Sequence, residues 1–196
     1  MGKGAQTRNV IVERAMRLAS RDGLEGLSVG LLAAELGISK SGLFSHFGSK
    51  DELQLQVLQA AVDRFREVVV RPALKAPRGA PRIRAMFNNW LAWSNDPSLP
   101  GGCIIVAAAS ELDDRPGAQR DFLVSAQRDW FATLAKAARL TVENGDFRED
   151  LDPEQFAFDA YGIILAYHHA RRLLRDKKAE ARARASFEGL INAARS

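Results

Sequence analysis

The stretch Leu36-Gly37-Ile38-Ser39-Lys40-Ser41-Gly42-Leu43-Phe44-Ser45-His46-Phe47-Gly48-Ser49-Lys50 leaves the chain few choices, because a tight turn runs straight into a helix too short to bury all its sides. Gly37 can take the positive φ that ends one helix abruptly, and Ser39 is a good N-cap for the next. Ile38, just ahead of that cap, and Leu43, at the fourth helical position, have the spacing of a hydrophobic staple, which fixes the angle of entry into the helix. Leu43 and Phe47 fall four apart on one face, as an anchoring stripe requires. Lys40, Ser41, Gly42, Phe44, Ser45 and His46 occupy the other sides, a mix of donors and small residues with no acidic group. A turn followed by a helix with one buried face and one basic face reads as a helix-turn-helix whose second helix meets DNA.

The remaining segments are helical as well. Apolar residues recur three and four apart, with Gly and Pro between long segments, so the fold class is all-α. A first helix is expected from about Thr7 to Arg21, with Ile11, Ala15 and Leu18 on one face, preceded by a polar arm from Met1 to Gln6. Ser28 caps a second helix that buries Leu32, Ala33 and Leu36. Ser49 and Glu52 have the spacing of a capping box, opening a long helix striped by Leu53, Val57, Ala61, Phe65 and Val68 that stops before Pro72. Pro72, Pro77, Gly79 and Pro81 make the clearest break in the chain. Beyond it lie an aromatic-rich helix from Pro81 to Asn95, a loop from Asp96 to Gly102, a nearly all-apolar helix from Cys103 to Leu112, and a longer one ending at Asn144-Gly145. Asp152-Pro153-Glu154-Gln155 then starts a helix bearing Phe156, Ala160, Ile163, Ile164 and Tyr167. A last helix carries Ala183, Phe187, Leu190, Ile191 and Ala194. Two terminal helices with apolar faces can form a four-helix bundle with a second copy, so a homodimer through them is expected. The divisions drawn are 1–48 for the head, 49–71 for a linking helix and 72–196 for the body.

Charge and cysteine content narrow the setting. Residues 1–50 hold seven Lys/Arg against four Asp/Glu, which places +3 of the net +4 in the head and suits a phosphate-rich partner. A single cysteine, Cys103, excludes an internal disulfide and fits a reducing compartment. Neither a run long enough to span a membrane nor a signal-peptide core is seen, so a cytoplasmic protein without membrane contact is expected.

Thr7-Arg8, Ala15, Gly23, Leu27-Ser28-Val29, Leu32-Ala33, Leu36-Gly37-Ile38-Ser39-Lys40, Leu43-Phe44, His46-Phe47, Ser49-Lys50 and Leu53 together resemble the N-terminal signature of the TetR family of bacterial transcriptional regulators. The resemblance spans roughly residues 7–57, and beyond it only the pattern of helices agrees. It implies an all-α homodimer, with a three-helix head that binds a double-stranded operator and a body that holds a small effector. On this resemblance Ser39, Lys40, Ser41 and Gly42 face base edges, while Ser28, Phe44, His46 and Lys50 meet phosphates. Lys40 can reach a guanine edge in the major groove, and Ser28 and Lys50 stand near helix starts, whose free amides attract phosphate. The family usually has tyrosine where this chain has Phe44, which removes a hydroxyl contact, and Gly42 offers no side chain to a base.

Met86, Phe87, Trp90, Trp93, Trp130 and Tyr161, with Cys103, are the candidate lining of a pocket for an apolar or aromatic effector, ordinary core packing being the alternative for each. Cys103 otherwise reads as a small buried hydrophobe. His168 and His169 are adjacent on a helix and point about 100° apart, which keeps both from serving one metal. The basic run from Arg171 to Arg184 reads as a helix end and a solvated turn. Glu111, Asp113 and Asp114 read as the start of a solvated loop. No phosphate-loop, H-E-x-x-H, G-x-S-x-G or zinc-ligand pattern is present, so neither catalysis nor a cofactor or metal is expected. A helical adaptor that binds protein with the same head, and an enzyme built on the body, are the rival readings.

Overall fold

Serines and aspartates stand where the helices begin. In the computed structural model, which describes residues 3–195, Ser28 caps α2 (Val29–Leu36), Ser39 caps α3 (Lys40–Phe47) and Asp152 caps α9 (Pro153–Arg172), each accepting from a backbone N–H of the first turn. Before α2 comes α1 (Lys3–Asp22). After α3 come α4 (Lys50–Phe65), a π-helical stretch (Arg66–Val70), α5 (Arg71–Leu74), α6 (Ala80–Ser94), α7 (Ile104–Leu112) and α8 (Ala118–Glu143), while α10 (Ala179–Arg195) follows α9. The all-α expectation holds among the described residues.

Two boundaries differ from expectation. The first helix already starts at Lys3, so Lys3 to Gln6 is helix rather than a free arm; Met1 and Gly2 lie outside the described residues. Pro72 does not end the fourth helical run. A proline has no N–H to give to the preceding turn, and a wider π turn precedes it before α5 continues. The wider turn advances the buried face by one residue: Val69 is fully buried, whereas Val68, the expected member of the stripe, is 42% exposed.

The chain folds as two compact units. The first comprises residues up to Phe65 together with Asn95–Val124, and the second comprises Arg66–Ser94 and Ser125 onward. In the first unit Ile11, Ala15 and Leu18 of α1 are buried with Leu32, Leu43, Phe47, Leu53, Val57 and Leu58. The 95–102 loop lies tight against the end of α1. Gly101 N donates to Ser20 Oγ at 3.2 Å, Arg17 donates to Pro97 O at 3.3 Å, and Arg64 of α4 holds Asp96 and Ser98, each at 3.0 Å. In the second unit α10 packs along α9, and the core holds Phe87, Trp90, Phe156, Ile164, Tyr167, Phe187 and Ile191. No helix among the described residues is long and apolar enough to cross a membrane.

Gly101 is a position of the first unit that has no room for a side chain. A Cβ there would stand 1.2 Å from Ser20 O, a backbone atom, so any side chain must push the loop off α1. Gly101→Ala is expected to destabilise the protein by about 1–3 kcal/mol, read as a lower urea midpoint, the usual cost of forcing atoms into a packed contact.

Candidate nucleic-acid interface

The second and third helices and the turn between them form the best-built surface of the first unit. α2 ends on Gly37 in the left-handed region, φ 65°, with Gly37 N donating to Ala34 O at 3.2 Å and Ile38 N to Ala33 O at 3.0 Å. That closure uses carbonyls a helix end otherwise leaves unpaired. Ser39 then accepts from Gly42 N at 2.9 Å and lies 3.0 Å from the Ser41 hydroxyl. Gly42 has a structural reason, since a Cβ there would stand 3.1 Å from Ser39 Oγ, tighter than most packed contacts.

Leu43 and Phe47 are buried under α3, leaving Ser39, Lys40, Ser41 and Phe44 exposed and Gly42 and His46 half-buried. Ser28 is exposed at the start of α2, its oxygen accepting from Leu31 N at 3.3 Å. The Lys40 stem crosses Gly30 of α2, with Cε 3.0 Å from where a Gly30 Cβ would stand. Lys50 is tethered: its Nζ donates to Glu25 O at 2.7 Å and lies 3.8 Å from the Glu25 carboxylate, which Arg115 approaches at 3.3 Å on its other oxygen. All eight candidate positions therefore belong to the first unit; seven of them fall from Ser39 to Lys50, and the eighth, Ser28, stands at the start of the helix before them.

Several contributors escaped the sequence reading. Arg8 stacks its guanidinium over the Phe47 ring at 5.2 Å and donates to Gln56 at 2.8 Å, tying α1 to α3 and α4. Gln54 is buried and donates to Leu24 O at 2.8 Å. Glu111, expected as a solvated residue, instead accepts from Leu24 N at 3.1 Å and Glu25 N at 2.9 Å. One signal was available: an acid in the last turn of an apolar helix opposes the helix dipole and implies a partner elsewhere.

The body candidates divide between the units. Met86, Phe87, Trp90, Trp93 and Trp130 are buried in the second unit and Tyr161 is half-buried there, whereas Cys103 belongs to the first unit, as the residue that precedes α7. Phe87 stacks flat on Phe187 at 3.9 Å, Trp90 meets Tyr167 edge-on at 5.6 Å, and Tyr161 tilts against Phe131 at 4.7 Å. On the outer side of α9, Phe158 is 66% and Leu165 41% exposed, and Phe158, Gly162, Ile163 and Ala166 line an apolar groove with Ala183 of α10. The basic run is mostly solvated, though Arg182 pairs with Asp176, and Arg184 with Glu180 and Asn88. His168 buries its Nδ1 without a hydrogen-bond partner among the described residues. Burial, then the charges of Arg172 and His169, hold its pKa below the ordinary histidine value, so the fold favours the neutral ring.

A family model described as the bacterial regulatory proteins of the tetR family matches residues 11–57, and one described as the tetracyclin repressor-like C-terminal domain matches residues 79–187. An HTH-type transcriptional regulator of Bacillus subtilis (strain 168), YezE, is 27% identical over 103 residues, 52% of this chain and 53% of that protein, so the match covers about half of each. A TetR transcriptional regulator from Chloroflexus aurantiacus J-10-FL has the same fold, with a TM-score of 0.83 at 24% identity over 98% of this chain and 96% of that one. AibR, solved in complex with isovaleryl coenzyme A and operator DNA, aligns with a TM-score of 0.72 at 23% identity over 95% and 96% of the two chains.

His168 gives the second unit a pH dependence of definite sign. Its folded pKa lies below the unfolded value of about 6.5, so stability is complete above that value and is lost as pH falls through and below it. Between about pH 7.5 and pH 5.5 the wild-type urea midpoint is expected to fall more than that of His168→Gln. Parallel shifts in the two proteins would contradict this.

Proposed function

The chain belongs to the tetR family of bacterial regulatory proteins, and on that footing we propose that it is a homodimeric repressor that reads a palindromic operator and releases it on taking up a small, largely apolar effector. One observation carries the DNA reading: α3 is fixed by Leu43 and Phe47 on one side and presents Ser39, Lys40, Ser41 and Phe44 to solvent on the other. An outer face with no acid and flexible donors suits the major groove.

The roles divide by chemistry. Lys40 reads a guanine edge, Ser39 and Ser41 add hydroxyl contacts, and Gly42 lets the backbone approach the bases closely. Ser28, His46 and Lys50 meet phosphates, and Phe44 contributes apolar contact where a hydroxyl is lacking. Lys50 has two N–H groups left for a phosphate after its bond to Glu25 O. Residues 1–48 act as the reading head, 49–71 as the link and 72–196 as the body that holds the effector. The effector's lining comes from Met86, Phe87, Trp90, Trp93, Trp130 and Tyr161 of the second unit. These side chains are already packed, so the effector must bind an arrangement in which some of them have moved, and that arrangement must bind DNA less well. AibR supports the reading to the extent that a protein of this fold was solved with both isovaleryl coenzyme A and operator DNA.

The dimer forms through α9 and α10. Phe158, Gly162, Leu165 and Ala166 recur at four, seven and eight residues along one outer side of α9, an apolar stripe exposed in the single chain. A second copy laid against it completes a four-helix bundle and sets two recognition helices roughly 34–36 Å apart, one turn of the duplex. Such a protein works in the cytoplasm, beside the chromosome.

The test is a duplex selected in vitro from a random library by the wild-type protein. A protein that is folded and dimeric yet selects no duplex would instead be an adaptor. Lys50→Ala should weaken binding to selected and scrambled duplexes alike and reduce the salt slope by about 1, whereas Lys40→Ala should cost about 1–3 kcal/mol on the selected duplex and relax its sequence preference. Equal effects of the two on both duplexes would sink that division of roles. Phe158→Glu should sediment as a monomer and lose tight operator binding; a dimeric Phe158→Glu protein would move the interface elsewhere.

A further inference from the structure

The turn between α1 and α2 is gripped from two sides by residues distant in sequence. On its N–H side stands one carboxylate, Glu111 of α7, which takes Leu24 N on Oε1 and Glu25 N on Oε2. On its carbonyl side stands α4, whose Gln54 donates to Leu24 O at 2.8 Å and whose Lys50 donates to Glu25 O at 2.7 Å. The peptide joining Leu24 to Glu25 is thus held at both ends, its carbonyl by Gln54 and its N–H by Glu111. Hydrogen bonds in series polarise one another, and those to an ionised acceptor are the strong ones.

The local sequence is fitted to this arrangement. Gly23 sits at φ 84°, which favours glycine, and a Cβ there would come within 2.8 Å of Glu111 Oε1 and push on the carboxylate. Arg115, just beyond α7, reaches the carboxylate of Glu25, the residue whose main chain holds Lys50. Segment 95–124 therefore meets the head at the two residues that anchor the start of α4. A solvated acid would make none of these contacts.

We propose that Glu111 is a positioning residue for DNA binding: by fixing the Leu24–Glu25 peptide it sets where Lys50 stands, so that α7 controls the phosphate-binding edge of the head without touching DNA. This rests on the DNA reading given above. Movement of α7 by a fraction of an ångström loosens the two N–H bonds, frees the turn and takes Lys50 out of register.

The experiment uses the full-length dimer, the duplex selected by the wild-type protein, and Glu111→Gln, which keeps the shape but loses the charge and one acceptor. Glu111→Gln is expected to bind that duplex about tenfold more weakly, the scale of a lost charge-assisted hydrogen bond, with a salt slope lower by about 1. In a Lys50→Ala background the same substitution should add almost nothing, because its effect passes through Lys50. A purely structural role would lower the unfolding midpoint and leave the slope unchanged. Glu111→Asp retains the charge on a shorter stem, is expected to lie between the two, and serves if Glu111→Gln does not fold. Wild-type affinity and slope in a folded variant, or a full additional loss in the Lys50→Ala background, would overturn the proposal. If the wild-type protein selects no duplex, the DNA reading falls first and this inference with it.

Discussion

An eight-residue helix has almost no stability of its own in water, since the cost of nucleating it is recovered only over a dozen residues or more. The existence of α3 therefore depends on the burial of Leu43 and Phe47, assisted by the Ser39 cap at one end and Gly48 at the other. Burying two such side chains contributes several kcal/mol, on the order of 1.5–3 each. The exposed side of α3 is not what anchors it, because these two hold it. Lys40, Ser41 and Phe44 take no part in that burial, which is the condition under which a surface can be tuned to a partner.

The same logic separates what the sequence made legible from what it did not. Ser28, Gly37, Ser39 and Asp152 act through neighbours within five residues, so their caps could be read from spacing, and they stand where expected. The all-α fold followed from apolar periodicity for the same reason. Contacts that cross the chain left no such trace. Glu111 lies 87 residues from Leu24, and nothing around it identifies that partner. Lys50 read as a cation near a helix start, yet half its role is to hold the turn at Glu25, 25 residues away. Pro72 misled in the opposite direction. A local rule says stop, and a π turn overrode it while moving the buried position from Val68 to Val69.

The aromatic residues show a third kind of legibility. Their clustering in α6 and α9 was visible, and their burial in the second unit follows from size and apolarity. Which ring meets which was not visible, because stacking of Phe87 on Phe187 and the edge contact of Trp90 with Tyr167 pair helices far apart in the sequence. Such pairs contribute about 0.5–1.5 kcal/mol beyond their buried area. Any ligand that enters among them must replace those contacts with comparable ones, which favours flat or branched apolar groups over polar ones.

The first unit is assembled from two separate lengths of chain, and this affects how the protein is made. Synthesis proceeds from the N-terminus, so α1 to α4 emerge well before the 95–124 segment that packs against them. Until that segment has left the ribosome, Ser20 lacks Gly101 and the Leu24 and Glu25 amides lack their carboxylate. The nascent head thus waits in an unfinished state while Arg66–Ser94, which belongs to the other unit, is produced in between. Whatever reads DNA here is completed only by residues translated after the reader itself.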